Sequence, residues 1–195
     1  MGEHVAEHVA ARVGRPAAWW GMVMLVASEA TLFGCLFGTY YYLRFETPHW
    51  PPDGLPEPRV VVPLVLSFTL AATAAPLLLA TRAARAGRLA AARALLVLAL
   101  VVQSGYLAYE VHDFDDQLTR FTPQTDAYGS IYFTLLGADH GHVAVGLLLD
   151  VWLLLKLSRG LTLYRLNALQ AITVYWYAVL VLTLCVTGTL LSATV

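Results

Sequence analysis

Five ionisable side chains of this 195-residue sequence lie inside long apolar runs, where water would not solvate them. Glu29 falls in the first run, and Asp139, His140, His142 and Asp150 fall in the fourth. A charged carboxylate at that depth costs roughly 3 kcal/mol on insertion scales unless it is protonated, paired or hydrated. We therefore expect Glu29 to be protonated or hydrogen-bonded, with the rest of the chain supplying its partner.

Helical spacing predicts which of these groups share a face. Asp139 and His142 are three residues apart and fall on one face of a helix, whereas His140 falls on another. Two pairs of small residues four apart, which allow helices to approach closely, are Gly34 with Gly38 and Gly137 with Gly141. We infer that the first and fourth runs pack together and that Glu29 meets either His142 or Asp139.

Three interpretations of this polar cluster compete. It is a buried hydrogen-bonded cluster that joins two helices, a proton or ion pathway, or a metal or haem site. The remaining apolar runs hold no histidine, so ligation by histidines on facing helices is not available. The sequence favours the structural cluster, with a local proton role as the alternative. Asp150 lies near the end of its run, and we expect it to pair with Lys156 or to reach the interface.

The composition identifies an integral membrane protein. Hydrophobic residues make up 58% of the chain and charged residues only 13%, about half of the share that is usual in soluble domains. The mean hydropathy is +0.64. We predict an all-α, polytopic membrane helix bundle with an N-terminal arm over 1–18 and a transmembrane domain over 19–195. Its five spans are predicted at about 19–43, 60–81, 89–109, 128–157 and 170–191.

The distribution of charge predicts the orientation of the bundle. Nine of the twelve basic residues lie in the arm, in 82–93 and in 156–165. Eight of the thirteen acids lie in 44–59 and 110–127, which we expect to be a proline-rich loop and an acidic loop. Basic segments stay on the cytoplasmic side of a membrane, so we predict a cytoplasmic N-terminus and a C-terminus outside.

Several function classes find no support in the sequence. There is no phosphate-binding loop, no nucleophile placed beside a base and no Cys/His metal set. We accordingly expect no catalytic residue, no cofactor or metal in this chain, no nucleic-acid partner and no small-molecule substrate of its own.

The first span and its loop resemble subunit III of the haem–copper oxidases. The pattern is a Ser-Glu inside an aromatic-rich helix, followed by a Trp-Pro-Pro loop: Ser28-Glu29, Tyr40–Tyr42 and Trp50-Pro51-Pro52. Weaker matches are Gln103, Glu110, Gly137, His142-Val143 and Tyr175-Trp176. The resemblance covers nearly the whole chain and fits the short bacterial form with five helices.

The resemblance implies an accessory role in a terminal oxidase of the bacterial inner membrane. In that family, subunit III packs on subunit I, which holds the haems and copper, and it supports proton uptake without a redox centre of its own. The partners implied are subunit I, other oxidase subunits and membrane lipids, including bound phospholipid. The donor to such a complex is cytochrome c or quinol.

Departures from the family pattern keep other functions open. The first histidine of the fourth-span pattern is replaced by Asp139 or displaced to His140, and the last helix has Tyr177 and Leu180 where the family usually has His and Asp. These changes raise the subunit-III-like proteins of nitric oxide reductase systems as an alternative. A small transporter or proton channel using Glu29, Asp139 and His142 is a further alternative.

Overall fold

The structure, a computed structural model, describes residues 16–55 and 59–194. Most of the predicted N-terminal arm therefore lies outside the described residues. The described chain is helical, with no strand, and its helices are α1 Ala17–Glu46, α2 Val61–Ala72, α3 Ala74–Arg85, α4 Leu89–Arg120, α5 Ala127–Leu157 and α6 Leu163–Leu191. Five helical segments are long and apolar enough to cross a membrane, because α2 and α3 together form one of them, Val61–Arg85. The predicted all-α bundle with five spans is confirmed.

The second span is interrupted where α2 gives way to α3. Pro76 has no N–H for the carbonyl of Ala72, which breaks the regular i to i−4 pattern at this point. The Thr73 N–H and hydroxyl both donate to the Leu70 carbonyl, at 2.9 and 2.7 Å. Thr73 is buried, and its hydroxyl proton is satisfied within the chain by this carbonyl.

Helix α4 corrects the prediction of an acidic loop over 110–127. The helix continues to Arg120, and its acids are held by ion pairs rather than left in a solvated loop. Arg59 lies 2.9 Å from Asp113 and 3.2 Å from Asp116, and Arg120 lies 2.9 Å from Asp116 one turn away. These contacts join the beginning of the second span to the far end of α4.

Short turns connect the later helices. After α3, Gly87 adopts a φ of 73°, and the N–H groups of Gly87 and Arg88 donate back to Ala84 and Ala83 at 3.0 and 2.9 Å. This is the Schellman motif, which favours glycine because a side chain is strained at positive φ. Helix α5 begins at Asp126, whose carboxylate accepts from the Gly129 N–H at 2.7 Å. The turns bring α3 against α4 and α4 against α5.

Helix α6 is the centre of the bundle, although it comes last in the sequence. It contacts α1, α2, α3 and α5, and 56% of its most apolar stretch is buried within the chain, against 6% for α1. Helix α1 packs on α5 and α6 only. Most of the surface of α1 is thus left to lipid or to another protein.

The close approach of α3 and α4 depends on alanine. These two helices present a row of fully or almost fully buried alanines to the interior: Ala80, Ala83, Ala84, Ala92 and Ala99. Small side chains let the two backbones come close, which is how helices associate in lipid. The glycine pairs of the first and fourth spans lie outside this contact.

Two apolar clusters fill the interior at different levels. One is mainly aliphatic and lies among α2, α3, α4, α5 and α6; it includes Val143 and Leu180. The other is rich in aromatic rings and includes Leu135 and Val186. Asp139 lies between the two levels on α5, and Thr183 lies between them on α6. A polar layer therefore crosses the bundle where the apolar clusters meet.

Candidate functional site: a polar layer across the bundle

Glu29 and His142 meet across α1 and α5. Glu29 Oε2 lies 2.9 Å from His142 Nε2, and the two side chains are 26% and 19% exposed. The Phe33 ring lies edge-on to the imidazole at 5.3 Å. The structure thus joins Glu29 to His142, and the expectation that Glu29 would be hydrogen-bonded is confirmed.

The second ring nitrogen of His142 constrains the protonation of this pair. Nδ1 lies 2.7 Å from the Ala138 carbonyl, which can only accept, so Nδ1 carries a proton. Nε2 then either accepts from a protonated Glu29 or, as imidazolium, donates to the carboxylate. Both forms hold the same number of protons, and they differ only in which atom of the pair carries the shared one.

Asp139 faces α6 instead of α1. Its side chain is almost fully buried, and its Oδ1 accepts from the Thr183 hydroxyl at 2.7 Å. The Asp139 alternative for the partner of Glu29 is therefore not the one observed. Sequence reasoning missed Thr183, because a lone threonine in an apolar helix gives no signal until its facing residue is known.

His140 faces α4, as its different helical face predicted. Its Nε2 lies 3.3 Å from Glu110 Oε2, with the two side chains 10% and 12% exposed. The Phe114 ring lies edge-on to the imidazole at 5.7 Å. Glu110 was predicted to begin a loop and was therefore missed as a site residue. The signal was its position seven residues after Gln103, about two helical turns along the same face of α4.

The four polar residues predicted as a cluster therefore lie in one layer of the bundle, but they form separate contacts with different partners. Three residues within four positions of α5 each face a different helix: His142 faces α1, His140 faces α4 and Asp139 faces α6. Each polar contact fixes α5 to a different helix. In the described ranges, no group of three or more His, Cys, Asp or Glu residues could hold a metal ion.

The predicted glycine contacts are not formed within the chain. Gly34, Gly38, Gly137 and Gly141 are exposed, and a Cβ added at any of them would meet nothing within 4 Å. The prediction that these glycines let α1 and α5 approach is wrong, because both pairs face outward. Gly146 is the glycine of α5 that packs tightly against another helix: its Cβ would lie 2.6 Å from the Trp176 ring of α6.

Asp150 also departs from expectation. It is fully buried, and no ion pair with Lys156 is formed. The Lys156 ammonium lies instead over the Trp152 ring, 5.7 Å from its centroid. The buried side chains around Asp150 are Gln103 of α4 and Trp176 of α6. The snorkelling interpretation is wrong because Asp150 faces the helices of the core.

Comparison with known proteins decides the family. The family model described as cytochrome c oxidase subunit III matches residues 4–190, nearly the entire chain. The chain belongs to this family. The match includes α1, with Glu29, and α5, with His142, so the layer described above lies within the family's own fold.

Named relatives of the subunit III family come from several bacteria. Cytochrome c oxidase subunit 3 of Bacillus subtilis is 25% identical over 162 residues, covering 80% of this chain and 77% of the relative. Quinol oxidase subunit 3 of Bacillus spizizenii is 26% identical, with 80% and 78% covered. Cytochrome bo(3) ubiquinol oxidase subunit 3 of Pseudomonas aeruginosa is 26% identical, with 86% and 80% covered. The coverage is high on both sides, so the similarity concerns the subunit as a whole.

Two positions of α6 depart from the pattern that the resemblance implied. Leu180 is buried and apolar, and Tyr177 is half-buried, where the resemblance implied an acid and a histidine. The acid of the layer is instead Asp139, and α6 supplies Thr183, one turn after Leu180.

Proposed function

We propose that this subunit III is an accessory subunit of a haem–copper terminal oxidase in a bacterial inner membrane. The complex reduces oxygen to water and pumps protons, and this chain stabilises catalytic subunit I and supports proton uptake without a redox centre of its own. The observation that carries the proposal is the Glu29–His142 contact of 2.9 Å. It joins the Ser-Glu helix to the fourth-span histidine, the two parts of the chain on which the family resemblance rests.

The proton-related part of the role is supported by the state of this pair. Glu29 and His142 share one proton between two atoms, and both side chains remain partly exposed. Such a pair can accept or pass on a proton with little structural rearrangement, because the backbone does not have to move. In the assembled complex, we propose that this pair supports proton uptake beside subunit I.

The surface beside His142 is our proposed contact with subunit I. Ala138, Gly141 and Val145 line an open groove of about 330 Å³ next to the imidazole. A partly exposed pair of ionisable groups is costly against lipid tails, and a partner helix in this groove would cover it. The exposed glycine gives such a helix room to approach.

Bound phospholipid belongs to the same proposal. A cavity of about 440 Å³ lies between the start of α1, α3 and α6, with Arg82 and Arg85 among its lining residues. The walls combine apolar side chains such as Leu78 and Val174 with polar ones, and together with the two guanidinium groups they suit acyl chains and an anionic headgroup. Lipid held there would fill the space between α1 and α3, which do not contact each other.

The proposal is tested by isolating the tagged full-length chain in mild detergent. Mass spectrometry of the copurifying subunits and a reduced-minus-oxidised spectrum are then recorded. We expect subunit I with haem bands, and the haem type to distinguish an oxygen-reducing complex from a nitric oxide reductase. A colourless, stable chain without partners would contradict the proposal and favour a transporter acting alone.

A matched pair of variants tests the proposed groove. Gly141→Leu fills it, whereas Gly105→Leu adds the same side chain to an exposed position of α4; a Cβ at either site meets nothing within 4 Å. We expect Gly141→Leu to reduce copurified subunit I several-fold and Gly105→Leu to leave it unchanged. Equal recovery from both variants would move the contact elsewhere without touching the family assignment.

A further inference from the structure

A cavity lies beside the Glu110–His140 pair, where residues of α2, α4, α5 and α6 meet. Its volume is about 40 Å³, and because a buried water needs about 10–15 Å³, the cavity has room for about three water molecules. Six polar residues line it: Arg59, Glu110, Asp113, Gln117, Tyr132 and Thr187. A cavity with polar walls can hold water, whereas an apolar one stays dry.

Two of these polar side chains have no hydrogen-bond partner within the described chain. Gln117 and Tyr132 are each only 7% exposed, and neither the amide of the one nor the hydroxyl of the other is bonded to a described residue. Buried polar side chains in native proteins are almost always hydrogen-bonded, either to protein or to ordered water. Because both residues line the cavity, water inside it is the partner that the geometry offers them.

The outer wall of the cavity reaches the surface near the end of α4. Arg59 and Asp113 both line it, and their side chains are 44% and 19% exposed. The two are joined at 2.9 Å. This is the acidic end of the bundle, which the distribution of charge assigns to the outside, so water enters the cavity from that side.

Glu110 connects the cavity to the polar layer. It lines the cavity, and its Oε2 lies 3.3 Å from His140 Nε2. The contact is kept in two protonation states of the pair, because Nε2 either donates to the carboxylate or accepts from a protonated Glu110. A proton can thus be gained or lost at Glu110 while α4 and α5 stay joined.

The charges around the pair leave Glu110 as the carboxylate that can gain this proton. Of the two carboxylates that line the cavity, Asp113 is paired with Arg59, whereas Glu110 has no arginine beside it in the described chain. The wall contributed by α6 is polar but uncharged, since Thr187 bonds to the Ser67 hydroxyl at 2.7 Å. The ionisable groups that face the pair from α4, α5 and the start of the second span are Tyr106, Asp113, Tyr132, Asp139 and Arg59.

We propose that this cavity holds water and makes the Glu110–His140 pair a proton-exchange site open to the outer end of the bundle. On uptake, an O–H bond of a protonated cavity water breaks, an O–H bond forms on Glu110, and the net charge of the pair rises by one. No other covalent bond changes. The Glu29–His142 pair faces the groove proposed for subunit I, so the two pairs of the layer serve different surroundings. The inference concerns the cavity of this chain and does not rest on its role in an oxidase.

The experiment is solid-state NMR of the ¹³C- and ¹⁵N-labelled full-length chain, with its copurifying subunits, in lipid. Transfer of magnetisation from water to the His140 ring is measured, and the ring is assigned by its sequential correlations to Asp139 and Gly141. We expect this transfer to be several-fold faster than transfer to the backbone N–H of Leu153, a fully buried residue of the same helix. The Glu110 carboxyl and His140 ring signals should shift together between acid and alkaline pH. These measurements on the unchanged chain do not depend on whether a variant folds.

A matched pair of variants places the water in this cavity. Leu136→Phe enlarges a side chain that lines it, and Leu148→Phe makes the same change at an exposed position of the same helix. We expect Leu136→Phe to slow the transfer to His140 several-fold and Leu148→Phe to leave it unchanged.

Three results would overturn the proposal. They are a transfer to His140 no faster than to Leu153, equal effects of Leu136→Phe and Leu148→Phe, or Glu110 and His140 signals that do not respond to pH. Each of these results is compatible with copurification of subunit I, so failure of this proposal is distinguishable from failure of the proposed function.

Discussion

The chemistry of the polar layer depends on single atoms. Because the Ala138 carbonyl fixes a proton on His142 Nδ1, the 2.9 Å contact to Glu29 requires a second proton, which the two groups share. A charged pair and a neutral pair differ only in where that proton lies. This explains how a carboxylate is tolerated in an apolar helix: its charge is either neutralised by the proton or matched by the imidazolium.

Substitution of Glu29 separates hydrogen bonding from charge. We expect Glu29→Leu to lower the free energy of unfolding by about 1–3 kcal/mol, the usual result of leaving a buried polar partner unpaired. Glu29→Gln keeps a donor for His142 Nε2 and should recover most of that loss. The measurement is denaturant unfolding of the purified chain in detergent micelles.

The control for this series lies next to Glu29. Ser28 is exposed and bonds only to the Leu25 carbonyl of its own helix, at 2.7 Å, so Ser28→Ala should change stability by less than about 0.5 kcal/mol. If Glu29→Leu were as harmless as Ser28→Ala, the contact with His142 would contribute nothing to the fold of this chain.

At the scale of the helices, small residues decide which elements can pack closely. Alanines join α3 to α4, and Gly146 lets the Trp176 ring of α6 lie against α5. The two GxxxG-type pairs, by contrast, face outward. Spacing alone shows that a glycine pair can form a smooth surface, but it does not show whether that surface faces inward.

Gly146→Ala should therefore destabilise the chain. The added Cβ would lie 2.6 Å from the Trp176 ring, and a buried ring among packed helices cannot move aside freely. Overpacking of this kind costs about 1–3 kcal/mol. Thermal unfolding in detergent, followed by tryptophan fluorescence, measures the loss.

Gly105→Ala is the matched variant on α4, with nothing within 4 Å of the new methyl group. It should leave stability unchanged or raise it by up to about 1 kcal/mol through helix propensity. Equal effects from Gly146→Ala and Gly105→Ala would mean that the ring yields and that the α5–α6 contact is not tight.

For the whole molecule, the distribution of charge predicts a cytoplasmic N-terminus and an external C-terminus. The two short turns, after α3 and after α5, carry basic residues and lie at one end of the bundle. The acidic end of α4 lies at the opposite end. The order of helices in the structure accommodates this arrangement, since an odd number of spans puts the termini on opposite sides.

Cysteine labelling tests this orientation. Cys35 and Cys185 are first replaced by alanine, and single cysteines are placed at the exposed positions Asp53 or Arg159. In intact cells, a membrane-impermeant maleimide should label Asp53→Cys and not Arg159→Cys. Permeabilised cells, in which both should react, provide the control. The reverse pattern of labelling would invert the topology.

The class of fold follows from the sequence alone, and the sequence also limits the partner of Glu29 to two residues. Uninterrupted apolar runs of membrane length require helices, because backbone polar groups in lipid must be satisfied within the segment. Five such runs gave five spans, and an isolated glutamate in one run required a partner in another. His142 was among the two partners predicted for Glu29, because few polar groups share its depth.

The helix that each polar group faces is visible only in the folded bundle. The directions of Asp139 to Thr183, His140 to Glu110 and Asp150 to Gln103 depend on how α5 is rotated among its neighbours. In lipid, hydropathy barely distinguishes the buried face of an apolar helix from its exposed face, so the sequence carries little record of that rotation. The central position of α6, the outward glycines and the burial of Asp150 follow from packing, which no local pattern encodes.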